Sequence, residues 1–177
     1  MFFLIISALI AGSISRGFVK DFFESRKLQS ELKKIGATDD EAKEIIGASS
    51  KITNKKDDPD SLYQVKAFRA LMLRKSALAM NKDTPTKIDE ITYLIKVSTD
   101  EDKTLKYTFK VNVPHNSGKE IFNKIKTSLI QDRKIYWCYD KKAADFRKIK
   151  AKIFYDYLSN DMLPIGSYEI NIEKDCL

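Results

Sequence analysis

The first residues, MFFLIISALIAGSIS, are almost continuously apolar: between Phe2 and Ala11 only Ser7 is polar, and Arg16 is the first charge. A stretch that is apolar all round lacks the polar face of an ordinary surface helix. Its length suits either a signal peptide, with Ala11, Gly12, Ser13 and Ser15 near a cleavage site, or an uncleaved anchor from Phe2 to Val19. A buried core helix is the third reading. Beyond it the pattern becomes amphipathic. Phe22, Phe23, Leu28, Leu32 and Ile35 share one side of a helix over 18–35, which Gly36 can end. Thr38 with Glu41 three residues on is a capping box, predicting a short helix through Ala42, Ile45 and Ile46 that Gly47 can stop. Residues 20–58 therefore read as a helical hairpin and linker, the linker being the polar run 48–60. A long helix follows, with Val65, Phe68, Met72, Leu73 and Leu78 on its apolar stripe.

After Pro85 the period falls to two. Residues 91–97 (ITYLIKV) are β-branched and aromatic. Leu105, Tyr107, Phe109, Val111 and Val113 then alternate with polar neighbours, which predicts a hairpin of half-buried strands. Residues 118–133 return to helical spacing, with Ile121, Phe122, Ile125 and Leu129 as the buried stripe, and a second helical stretch covers 140–148. Ile153, Tyr155 and Tyr157, then Tyr168, Ile170 and Ile172, predict two closing strands. The order predicts an α+β fold: N-terminal helices, the first hydrophobic, then a small antiparallel sheet in ββ-α(α)-ββ order packed against helices. The expected divisions are 1–19 as signal or membrane anchor, 20–58 as hairpin and linker, and 59–177 as the α+β domain.

Composition narrows this little. The 177 residues carry 32 basic and 25 acidic side chains, a formal net charge of +7. The two signs are interleaved, so a solvated surface accounts for the excess. Basic residues after the apolar run, from Arg16 to Lys27, favour keeping the following chain in the cytoplasm.

The chemistry-bearing residues do not assemble into a catalytic motif. His115 is the single histidine, and Ser117 and Lys119 beside it have no acidic orienter. NSGKE lacks the first glycine of a P-loop, since Val113 stands where it would be. Paired carboxylates such as Asp39–Asp40, Asp57–Asp58 and Asp100–Asp102 fall in predicted turns. No metal ligand set or cofactor motif is visible, and the expectation is a protein that is not an enzyme. Tyr136, Trp137, Lys141, Lys142, Arg147 and Lys148 form the most aromatic and basic neighbourhood. They are the candidate binding surface, with core packing as the alternative for the aromatic residues. Cys138 and Cys176 are the two cysteines. In a reducing compartment they would be separate thiols, and in an oxidising one a single bridge.

The order of NKDTPTKID (Asn81–Asp89), LKYTF (Leu105–Phe109), Cys138, FYDY (Phe154–Tyr157) and a last strand ending in Cys176 resembles a family of small uncharacterised bacterial proteins. That family has the pattern NKxxPxx[IV]D … LxYx[YF] … C … YxY … IxIxxxC, and the resemblance covers about residues 78–177. This chain departs from it in the turn LSNDMLPIG and in having Thr84 before the proline. The resemblance implies export and a Cys138–Cys176 bridge, and it implies no reaction. The expected function is a non-enzymatic, membrane-tethered or exported accessory or binding domain of the bacterial cell envelope. It would be either anchored in the inner membrane and facing the periplasm, or periplasmic or secreted after signal cleavage. Its expected partners are the membrane, through the N-terminal segment, and an envelope protein; nucleic acid is disfavoured. The alternative is a cytoplasm-facing, membrane-anchored basic domain that binds anionic lipid or nucleic acid.

Overall fold

The structure, a computed structural model, describes residues 25–53, 59–100 and 103–176. The apolar segment 1–19, and Phe22 and Phe23 with it, lie outside the described residues. Among the described residues no helix is long and apolar enough to cross a membrane. The chain forms two compact units that divide between Lys75 and Ser76, whereas the sequence suggested a boundary at 58/59.

The first unit is helical. Helix α1 (Ser25–Lys34) buries Leu28 and Leu32. Ile35 does not join that stripe and is 38% exposed. Gly36 takes φ +91° and ends the turn, a conformation that costs glycine nothing. Helix α2 (Asp39–Thr53) opens on the capping box. The Thr38 N–H donates to Glu41 Oε2 at 2.9 Å, and the Glu41 N–H donates to Thr38 Oγ1 at 3.3 Å. It does not stop at Gly47. Ala42, Ile45 and Ser49 are buried along one face, and that packing outweighs the roughly 1 kcal/mol that an internal glycine costs a helix. The first part of the expected linker is therefore helix. After a 3-10 segment (Pro59–Gln64), helix α3 (Lys66–Asn81) buries Ala67, Phe68, Leu71, Met72 and Leu73. Leu78, expected on that stripe, is 68% exposed. Arg74 donates both guanidinium nitrogens to the Glu41 carboxylate, each at 2.7 Å.

The second unit is the α+β layer. Its strands are β1 (Thr86–Lys87), β2 (Thr92–Asp100), β3 (Thr104–Val111), β4 (Lys152–Leu158) and β5 (Pro164–Asn171). They form one sheet in the order β1-β2-β3-β4-β5. The expectation of a purely antiparallel sheet in ββ-α(α)-ββ order is corrected in two respects. A short strand, β1, is added at the edge, and the central pair β3–β4 is parallel. The reason lies in the connection. Helix α4 runs for 25 residues, His115–Tyr139, and returns the chain to the end of the sheet where β3 began. Strand β4 then starts beside β3, with Thr104 opposite Lys152, as a parallel pair requires. A 3-10 turn (Lys141–Ala143) and helix α5 (Ala144–Lys148) complete the crossover, and helix α6 (Ile172–Asp175) follows β5.

One sheet face is a ladder of rings. Tyr107 is opposite Tyr155, Tyr155 opposite Tyr168, and Phe109 opposite Tyr157. Their ring centroids are 5.3, 4.8 and 5.1 Å apart and the planes are nearly parallel. Helix α4 lies on this layer through Phe122 and Trp137, both buried. Gly166 makes room for Phe122, since a Cβ there would lie 2.3 Å from the ring. The β4–β5 turn is held by Ser159, whose hydroxyl donates to the Leu163 carbonyl while accepting from the Leu163 N–H.

The two units give matched expectations. Gly166→Ala should lower stability by about 1–3 kcal/mol through overpacking against Phe122. Gly47→Ala, with open space around its Cβ, should raise it by about 0.5–1 kcal/mol; urea unfolding reads both. The Arg74 hydrogen bonds come first among the causes that hold the Glu41 carboxyl down at about 2, against an ordinary 4.5. A depressed carboxyl stabilises the fold above its unfolded value and stops doing so as pH falls through the folded value. Arg74 keeps 38% exposure, so screening trims the effect to on the order of 1–2 kcal/mol. Unfolding of the helical unit should therefore show a loss of that size between pH 4.5 and 2, and Glu41→Gln should remove it.

Candidate binding groove

The NKDTPTKID stretch builds the outer edge of the sheet. Strand β1 covers only the first residues of β2, pairing Thr86 with Leu94 and Lys87 with Tyr93. Further along, the Asn81 amide does the work of a neighbouring strand. It donates to the Val97 carbonyl at 2.6 Å and accepts from the Val97 N–H at 2.7 Å, satisfying backbone groups that an edge would leave open. Asp89 folds the β1–β2 turn by accepting from the N–H groups of Ile91 at 3.0 Å and Thr92 at 2.8 Å. Burial raises its carboxyl, but those hydrogen bonds outweigh it and hold the group below the usual carboxylate range. The turn thus places Ile88 and Ile91 at the surface, 48% and 41% exposed.

Opposite that turn runs one stripe of α4. Gly118, Ile121, Phe122, Ile125, Leu129 and Arg133 line a groove of about 460 Å3 whose other wall is Ile88–Thr92. Phe109, Val111 and Tyr157 contribute from the sheet. Ile121 and Ile125 were expected to be buried and are instead 41% and 44% exposed, because they face the groove and not the sheet. Arg133 sits in this lining with its guanidinium 5.6 Å from the Tyr155 ring, a cation–π position. Among the described residues it pairs with no carboxylate. Burial pushes the Tyr157 hydroxyl up, so the phenol stays neutral and the groove wall uncharged there.

The residues marked as a binding surface from sequence do not make one site. Trp137 is buried at 2% exposure and its indole donates to Tyr155 Oη at 2.6 Å. Tyr136 is half-buried, packed edge-on against Trp137 at 5.0 Å, with its hydroxyl raised by burial. Arg147 donates to the carbonyls of Trp137 at 3.0 Å and Asp140 at 2.8 Å, satisfying groups at the end of α4. Lys141, Lys142 and Lys148 stay exposed. Two other basic residues of this unit are in ion pairs: Lys106 meets Asp156 at 2.5 Å and Lys150 meets Glu173 at 2.8 Å. His115 begins α4, with Nδ1 buried and unpaired. Among the described residues no group of three His, Cys, Asp or Glu could hold a metal ion.

Cys138 and Cys176 are bonded, with Cα atoms 5.1 Å apart. Cys138 lies within the last turn of α4, not after the helix. The bond joins that turn to the residue after α6. Lys134 reinforces the same junction, reaching Asp175 at 2.8 Å.

No protein-family model matches this sequence, and no curated protein matches it. Two solved structures share the fold. One is a candidate secreted protein from Pseudomonas aeruginosa, with TM-score 0.54 and 16% identity over 63% of this chain and 96% of that one. The other is a pilotin of the Vibrio vulnificus type 2 secretion system, EpsS, with TM-score 0.50 and 11% identity over 63% of this chain and 94% of that one. At these identities the likeness is one of fold, and it establishes the mixed α+β architecture.

The groove and the core residues separate cleanly by mutation. Ile125→Asp should change stability by no more than about 0.5 kcal/mol, as expected for an exposed site, while Trp137→Ala should cost about 3–5 kcal/mol. Reducing the Cys138–Cys176 bond, whose partners are 38 positions apart, should cost roughly 4 kcal/mol on chain-entropy grounds. Thermal unfolding with and without reductant tests all three.

Proposed function

We propose that this protein is an exported accessory protein of the bacterial cell envelope, acting by binding an envelope protein and not by catalysis. The groove between α4 and the β1–β2 turn carries the reading. Exposed isoleucines from two elements converge there, and Arg133, which pairs with no carboxylate among the described residues, lies at the far end of the lining, an arrangement suited to recognition. The Cys138–Cys176 bond supports an oxidising compartment, as does the apolar N-terminal segment, whether it is cleaved or retained as an anchor. Among solved structures of this fold, one is described as a candidate secreted protein and another as a secretion-system pilotin. The resemblance of residues 78–177 to exported bacterial proteins points the same way. For the cytoplasmic, polyanion-binding alternative, Lys141, Lys142 and Lys148 are exposed, but Lys106 and Lys150 are in ion pairs and Arg147 is spent on backbone carbonyls.

Thiol alkylation in intact cells of the source organism tests this. Exported protein should take up label at Cys138 and Cys176 only after reduction, and its intact mass reports the state of the N-terminus. Immediate labelling of both thiols would refute export.

A further inference from the structure

The groove has a direction. Asn112 donates its N–H to the Ile91 carbonyl at 2.7 Å, and Thr92 pairs with Val111. The Asp89–Glu90 turn therefore sits level with the strand end that leads into α4. Arg133 lies 15 residues further along that helix than Gly118, about 22 Å at the rise of an α-helix, over Tyr155 in the middle of the sheet. One end thus carries the Asp89 and Glu90 carboxylates, with Lys87 near enough to act on Asp89, and the other a guanidinium that pairs with no carboxylate among the described residues. Between them Ile121, Ile125 and Leu129 form a ridge with spacing of four, the kind into which a second helix packs.

The walls also select the form of the occupant. An added β-strand needs a row of free backbone groups. Here the N–H groups of Ile88 and Asp89 donate to Thr92, and those of Ile91 and Thr92 donate to Asp89. A helix satisfies its own backbone and needs only apolar contact. Its N-terminal end carries partial positive charge and its C-terminal end partial negative charge.

Resting on the reading of the groove as a partner site, we propose that it receives an amphipathic α-helix of about four turns from an envelope protein. The helix lies with its N-terminal end at Asp89 and Glu90 and its C-terminal end at Arg133. Its apolar face covers Ile88, Ile91, Ile121 and Ile125, and acidic side chains in its last turn meet Arg133. The two end charges favour this direction over its reverse by about tenfold.

The test is photo-crosslinking in the source organism from the full chain, with a diazirine amino acid at position 88 or 129 and a control at the exposed Glu169. Adducts are mapped by mass spectrometry, and thermal unfolding first confirms that each variant folds. The expected result is one partner segment labelled from both positions. The site labelled from 129 should lie about two to four turns C-terminal to that labelled from 88, and Arg133→Glu should cut the adduct at 129 about tenfold. Reversed order, labels spaced as in an extended strand, or an adduct at 129 unchanged by Arg133→Glu would overturn the inference and leave the groove as a partner site. Lipid adducts alone, or no adduct above the Glu169 control from either position, would overturn both.

Discussion

A single helix, about 10 Å across, cannot cover four full strands spaced about 4.8 Å apart. This mismatch shapes the second unit. Helix α4 is drawn to β4 and β5 by two fixed points. At one, Phe122 fills the space left at Gly166; at the other, the Trp137 indole finds the Tyr155 hydroxyl in the ring layer. A buried indole N–H needs such a partner, so the helix cannot slide toward β2 without losing it. Near Tyr107 the uncovered part of the sheet meets Met80, whose sulfur accepts from the tyrosine hydroxyl at 3.4 Å. At the other end of β2 and β3, among the described residues, it meets the β1–β2 turn, and the groove is what remains.

Much of this architecture was legible from periodicity. The alternation of Leu105, Tyr107 and Phe109 marked the sheet, and Thr38 with Glu41 marked a helix start that the structure places at Asp39. What periodicity could not give was which partner each apolar face would meet. Ile121 and Ile125 read as core because they share a stripe with Phe122, yet only Phe122 reaches the sheet. Parallel pairing of β3 and β4 depended on how far the intervening helix travels, and its last turn over Tyr136–Tyr139 carries no apolar repeat that would extend it on paper. Gly47 looked like a stop because propensity was weighed without the buried Ser49 beyond it.

The site was less legible than the fold. Aromatic and basic letters clustered at 136–148 drew attention, but an indole in a core and a guanidinium on helix-end carbonyls look the same in sequence as a binding patch. The signal for the groove was present in NKDTPTKID, where Asp89 before Ile91 is an ordinary turn device. Its significance needed the third dimension, which sets that turn across from a helix that begins 26 residues after Asp89.

The parallel pair at the centre of the sheet has a kinetic meaning. The β2–β3 hairpin closes over a few residues, whereas Thr104 must wait for Lys152, nearly 50 positions later. Contacts of such separation form slowly. A chain threaded unfolded across a membrane would therefore spend its first moments with the inner edge of β3, Leu105 to Phe109, bare and open to pairing with other chains. Lys106, Thr108 and Lys110, alternating with the apolar residues there, are the solubilising side chains that guard that edge until α4 has brought β4 home.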